Sequence, residues 1–241
     1  MNNYAPFQMG DLDELAMLFA RANAVVAMED AAAGFTDDSM IVLRHDVDNA
    51  IEPAVAMAQW EGERSYRASY YFLHTSSYWR HTDTFQAALE VIAECGHEIG
   101  FHINAIAEAI RTGRDPLEIA AEAVAELRSY GHEVHGVVPH GDPFCHLHRF
   151  VNDELFIESP RPKYGAPDRY IAGVKLNPVP RSLLGFDYDP NWLPRAVGVS
   201  DSGGHWSQPF EQLAAGFPYE GQTHVLIHPD WWSEAFSKVA A

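Results

Sequence analysis

The chain is short of cysteine, of basic side chains and of long apolar runs, and each shortage closes off a class of protein. Its two cysteines, Cys95 and Cys145, are too few for a disulfide framework and form no Cys-x-x-Cys pair, so free thiols in a reducing compartment, the cytoplasm, are expected. Only 16 Lys and Arg stand against 34 Asp and Glu, a formal net charge of −18. Such a surface repels a phosphate backbone and offers an anionic membrane no basic patch, which argues against nucleic acid as a partner. No apolar run approaches the roughly 18 residues of a membrane span. The opening Met1-Asn2-Asn3-Tyr4, soon followed by Asp11, Asp13 and Glu14, lacks the basic stretch of a secretory signal. Neither an internal repeat nor a low-complexity linker divides the 241 residues, a length suited to one domain with a sizeable core.

What the chain does have is an alternation of apolar, strand-like runs with stretches of helical period, the mark of a βα-repeating fold with a parallel sheet. Strands are expected at 40–43, 68–73, 97–102, 134–138, 196–200 and 223–228. Between them Glu52-Pro53 opens a helix, another begins near Asp83 and ends toward Gly96, and Asp115-Pro116-Leu117-Glu118 combines an N-cap, a first-turn proline and a capping-box glutamate. A further short helix is expected around Phe210–Ala214, with residues 1–36 as an N-terminal helical segment and 141–195 irregular. One domain of 1–241 with its core in 40–230 is the expected organisation.

The 13 histidines are the compositional oddity, and several close an apolar run beside Asp, Gly or Pro. In βα-repeating folds, loops at the strand ends face one shared mouth, and an ionisable group there is costly unless a metal, a base or a hydrogen-bond partner uses it. Asp46 and Asp48, two apart on an extended strand, share a face, so one can hold a metal while the other stays free as a base. His102, His140 in Pro139-His140-Gly141, and His228 in His228-Pro229 close three other strands, and Ser200-Asp201-Ser202-Gly203-Gly204 closes a fourth.

Leu43-Arg44-His45-Asp46-Val47-Asp48, followed about fifty residues later by Gly96-His97-Glu98-Ile99-Gly100-Phe101-His102, resembles the first two motifs of the NodB-type polysaccharide deacetylases. Tyr70-Tyr71-Phe72 and Leu226-Ile227-His228-Pro229 extend the resemblance over roughly 40–230. It implies a distorted (β/α) barrel and a divalent metal held by one Asp and two His, with a second Asp as base and a late His as acid. On this chain Asp46 matches the base, Asp48 the metal aspartate, His102 the first metal histidine and His228 the acid. Two departures stand out: Val47 separates the aspartates, and Ile106 occupies the place of the second metal histidine, four residues after His102. His140 is the substitute expected, with His228 the other candidate. Arg44, on the same face as Asp46, is the candidate for the arginine the family uses to steady its base. Asp201 resembles the carboxylate that accompanies the acid, and Trp206, with Trp231 and Trp232, is a candidate sugar-stacking wall. His74, His81, His146 and His148 are expected to be structural or at the surface.

The reaction implied is hydrolysis of an N-acyl group, acetyl or formyl, on an amino sugar or sugar conjugate, so the partner is a small molecule or glycan. Zinc is the expected ion, although Asp and His also suit Fe, Mn, Co and Ni. An amidase or deformylase acting on a small non-sugar amide, and a non-catalytic sugar- or metal-binding protein, are the alternatives.

Overall fold

The structure, a computed structural model, describes residues 7–159 and 170–237. Along the chain come α1 (Met9–Phe19), β1 (Ala24–Val26), α2 (Met28–Ala32), β2 (Met40–Val47), α3 (Glu52–Gly62), β3 (Ser69–Leu73) and α4 (Thr82–Glu94). They are followed by β4 (Glu98–Ile103), α5 (Ala105–Thr112), α6 (Pro116–Ser129), β5 (Val137–Pro139) and α7 (Pro143–His148). After the small hairpin β6 (Tyr170–Ile171) and β7 (Val174–Lys175), β8 (Val197–Ser200), α8 (Phe210–Gly216), β9 (Thr223–Ile227) and α9 (Ser233–Ser237) complete the domain. No helix among the described residues is long and apolar enough to cross a membrane.

The main sheet is parallel, in the order β5-β4-β3-β2-β9-β8. β1 pairs with the first half of β2, Ala24 opposite Met40, and β3 takes over the same edge from Arg44 onward. β2 is buried along its whole length because both faces are covered. Ile41, Leu43 and Val47 belong to the large core under the helices, while Met40 and Val42 join Val26, Tyr71, Val138 and Tyr188 in a second cluster on the inner face. On a flat sheet the ends of β2 and β5 would lie three strand spacings, about 14 Å, apart. Asp48 and His140, just beyond those ends, approach to 3.3 Å, so the sheet is curled into an incomplete barrel, as the resemblance implied.

Most expected elements are present with shifted ends, and the shifts have causes. Asp115 caps α6 as expected, accepting from the N–H groups of Leu117 and Glu118 at 2.8 and 3.2 Å. The strand expected at 134–138 pairs only from Val137, since the Val134 and His135 carbonyls are taken by Arg128 and by the Asp187 N–H. The segment 1–36, expected to be helical, contains β1 as well as α1 and α2: Val25 and Val26 are buried against β2, and tertiary pairing overrides the helical reading. The region 141–195, expected to be irregular, contains α7, the β6–β7 hairpin and single-turn helices at Asn152–Leu155, Arg181–Leu184 and Pro190–Trp192; residues 160–169 of it lie outside the described residues.

Gly100 occupies a position that only glycine fills. A Cβ there would sit 2.3 Å from the Tyr71 ring, which lies across β4 and brings its hydroxyl 2.6 Å from where a Cβ on Gly136 would be. Both neighbours are buried ring atoms that cannot swing away. Gly100→Ala is therefore expected to cost about 1–3 kcal/mol through overpacking. Gly10→Ala, in open space within α1, should be neutral or slightly stabilising. Denaturant titration of both variants checks this, and equal midpoints would contradict it.

Candidate functional site

Three side chains from three strand ends converge. Asp48 follows β2, His102 lies on the inner face of β4, and His140 follows β5; one donor atom from each lies within 4.8 Å of the others. Asp48 Oδ1 is 3.3 Å from His102 Nε2 and 3.3 Å from His140 Nδ1, and the two ring nitrogens are 3.2 Å apart. His102 Nδ1 lies 3.1 Å from the Val138 carbonyl oxygen. A carbonyl only accepts, so Nδ1 carries a hydrogen, and Nε2 faces Asp48 and His140. His140 is held by its own backbone, its N–H donating to Ile103 O at 2.8 Å and its carbonyl accepting from Asn152 Nδ2 at 2.9 Å.

This donor set fits a divalent cation. Asp48 Oδ1 is buried yet has no hydrogen-bond partner, an expensive state for a carboxylate oxygen unless a cation completes it. Burial by itself raises the Asp48 carboxyl, but the two imidazoles outweigh it and hold the group far below the usual range. Two imidazoles and one carboxylate also leave a fourth tetrahedral position open. Ile106, at the family's place for a second histidine, is fully buried in the core, and its N–H donates to Asn152 Oδ1 at 3.1 Å.

Beside this cluster lies Asp46, gripped by Arg44 through two bonds: Nε donates to Oδ1 at 2.8 Å and Nη2 to Oδ2 at 2.7 Å. Both side chains are buried, and Arg44 Nη1 donates to Asn191 Oδ1 at 3.0 Å. Burial alone would raise the Asp46 carboxyl, but the Arg44 guanidinium, with the His102 and His228 imidazoles, holds it below its ordinary value. His102 Nε2 stands 3.7 Å from Asp46 Oδ2.

β9 brings in His228. Its neighbour Ile227 pairs with His45, so one step further along the same register sets His228 beside Asp46 on the inner face. Asp201, fully buried, accepts from the His228 backbone N–H at 2.9 and 3.1 Å, meets His228 Nδ1 at 2.7 Å and accepts from Trp232 Nε1 at 2.9 Å. The carboxylate thus replaces the next rung of the ladder, and β9 stops one residue before the end expected from the sequence. Burial lowers the His228 pKa, but Asp201, then Asp46 and Asp48, outweigh it and raise it to about 9.

The structure therefore brings together Arg44, Asp46, Asp48, His102, His140, Asp201 and His228. The aromatic wall is different. Trp232 is fully buried, stacked on Phe7 with ring centroids 4.2 Å apart, and Trp206 packs between Phe7 and Phe210; only Trp231 exposes much of its ring. Trp232 serves Asp201 instead of a sugar. Of the histidines set aside, His74 is close to the site: its Nε2 accepts from the Asn104 N–H at 3.0 Å, and burial pushes its pKa down to about 3. Sequence reasoning also missed Asp230, which accepts from the N–H groups of Asn49 and Ala50 at 3.0 and 2.8 Å and so fixes the loop that leaves Asp48. Its only signal was its place after His228-Pro229.

No family model and no curated protein matches the chain. Among solved structures it is similar to a family 4 carbohydrate esterase from Bacillus anthracis, over 100% of this chain and 91% of that one, at 14% identity and a TM-score of 0.40. At that level the likeness bears on no residue's role, and the site stands on the chain's own geometry.

Proposed function

We propose that the protein is a metal-dependent hydrolase that removes an N-acyl group, acetyl or formyl, from an amino sugar or sugar conjugate in the cytoplasm. The observation that carries this reading is the unpartnered Asp48 oxygen facing two imidazole nitrogens, with an ionised carboxylate and a protonated imidazole beside it. The amino sugar comes from the motif resemblance, and the compartment from the two free cysteines. Asp48, His102 and His140 would hold the ion, zinc in the first instance. Such an ion, when bound, polarises a carbonyl oxygen and lowers the pKa of a coordinated water from 15.7 toward about 7.

The remaining roles belong to the chain. Asp46, kept ionised and aimed by Arg44, accepts a proton from the attacking water. The water oxygen bonds to the acyl carbon, and the carbon–nitrogen bond breaks. With Nδ1 held by Asp201, His228 presents Nε2–H and donates that proton to the departing amine, which otherwise would have to leave as an anion.

Asp48→Ala, His102→Ala and His140→Ala are expected to weaken binding of the ion by more than the about 10–100-fold that a ligand's supporting partners alone command. Asp46→Asn should keep the ion and lose about 10²–10⁴-fold in turnover. Metal analysis of the purified variants beside their rates separates these outcomes. Full occupancy in His140→Ala, or metal loss in Asp46→Asn, would break the assignment.

A raised imidazole pKa means that the acid is present below its value and lost above it. Turnover should therefore fall as pH rises through the His228 value, near 9, or somewhat lower with a dication nearby. Asp201→Asn removes the carboxylate charge on Nδ1 and should move this alkaline limb down toward the ordinary 6.5. A limb that stays in place in a pH–rate profile of that variant would exclude His228 as the acid.

A further inference from the structure

A cavity of about 350 Å³, lined in part by Arg44 but not by Asp46, opens between β2, β9, β8 and the turn Pro190–Trp192. Its polar lining is Arg44, Asn191, Arg195, His224 and the hydroxyls of Ser200, Ser202 and Ser207. In a chain with 34 acidic residues, none of the side chains that line it is a carboxylate.

The polar groups there have hydrogens to give and few lone pairs to offer. Arg195 makes no ion pair or hydrogen bond among the described residues, and its side chain lies along β8, Cδ and Nε 3.3 Å from where a Cβ on Gly198 would be. The glycine leaves the room that this arginine occupies. Asn191 Oδ1 is already taken by Arg44, which leaves Nδ2 to donate. Ser207 Oγ accepts from the Ser200 N–H at 3.0 Å, so its own hydrogen points elsewhere. Ser200 and Ser202 share one hydroxyl hydrogen at 2.7 Å and leave the other free. His224, at the back, is held neutral, its pKa pushed down to about 4 by burial and then by the Arg195 and Arg44 guanidinia. Burial is the larger cause, and the two guanidinia add to it.

We propose that this cavity is an anion subsite that takes a phosphoryl group, and that the group is carried by the substrate of the neighbouring centre. The second half rests on the hydrolase reading. Arg44 is shared by both sites, and Leu226 of the cavity, on β9, lies two residues before His228, which follows that strand. That step is about 7 Å along a strand, a distance that one sugar ring bridges. An N-acyl amino sugar with a phosphate or phosphodiester on the opposite side of the ring would place its amide at Asp46 and His228 and its phosphoryl oxygens at Arg195 and the serines. Arg195 is then a specificity determinant and not part of the chemistry.

The subsite is tested without turnover by titrating inorganic phosphate into the full-length protein by calorimetry. Wild type should bind phosphate, and Arg195→Ala should weaken it at least about tenfold, the loss of a charge-assisted contact. His102→Ala, which disables the metal centre alone, should leave it unchanged. Absence of binding, binding that survives Arg195→Ala, or binding lost in His102→Ala would overturn the proposal. The link to substrate is read from kcat/KM on phosphorylated and unphosphorylated N-acetyl amino sugars. A preference of at least about tenfold for the phosphorylated sugar, erased by Arg195→Ala, supports it; equal rates overturn it. If neither sugar is hydrolysed, the hydrolase reading fails, and phosphate titration still decides whether the subsite exists.

Discussion

The inner face of the barrel is organised around one buried ion pair, Arg44 with Asp46. Two charges withdrawn from water in this way are tolerated only when geometry and further hydrogen bonds are good, and removing one partner of such a pair typically costs about 3–5 kcal/mol. Here the pair is bidentate, and Arg44 spends a further nitrogen on Asn191. Below it lies the Tyr71 ring, 5.5 Å from the guanidinium carbon, and that ring fits only because Gly100 and Gly136 have no side chains. The glycine in Gly-His-Glu-Ile-Gly thus serves a carboxylate two strands away. Asp46 can stay ionised in a buried site because Arg44 is there, and Arg44 can be buried because Asp46 answers it.

Two histidines of the same ordinary pKa are given opposite duties by what each Nδ1 meets. On His102 it meets a backbone carbonyl, which has no charge to share, and the ring is oriented with Nε2 toward Asp48 and His140. On His228 it meets the fully buried carboxylate of Asp201, itself held by Trp232, and the ring keeps both protons up to about pH 9. The proposed ligand and the proposed acid thus differ in the charge of one neighbour.

Strand ends were legible because two signals coincide there: an apolar run that stops, and an ionisable residue that a buried strand would otherwise not carry. Parity along β2 sufficed to put Arg44, Asp46 and Asp48 on one face. Less was visible where a residue's task is set by chain from elsewhere. β1 is three residues long and gains its stability from β2. Trp232 reads as a surface aromatic beside Trp231, yet it is enclosed by Phe7 and Asp201, distant in sequence. Arg195 sits in a stretch without periodicity, and only the curl of β8 against β9 and the turn at Asn191 gives its charge a cavity. The fold class follows from local pattern; the partners of a side chain follow from the curl, and no window of sequence contains the curl.

The same distinction explains how the proposed centre could form with Ile106 where the motif resemblance would put a histidine. Ligands four residues apart on one helix move together and need no help from the rest of the fold. Asp48, His102 and His140 come from three strands, so their separation depends on how the ends of β4 and β5 are held. Asn152, fully buried, holds them. Its Oδ1 accepts from the N–H groups of Ile106 and Ala107 at 3.1 and 3.2 Å and so caps the first turn of α5. Its Nδ2 donates to Asn104 Oδ1 and to the His140 carbonyl, both at 2.9 Å. Asn104 in turn donates to Asp142, which also pairs with Arg111 of α5. The turn that carries Ile106 into the core is thereby tied to the backbone of His140, so the position where the motif resemblance would put a second histidine helps to anchor the proposed ligand.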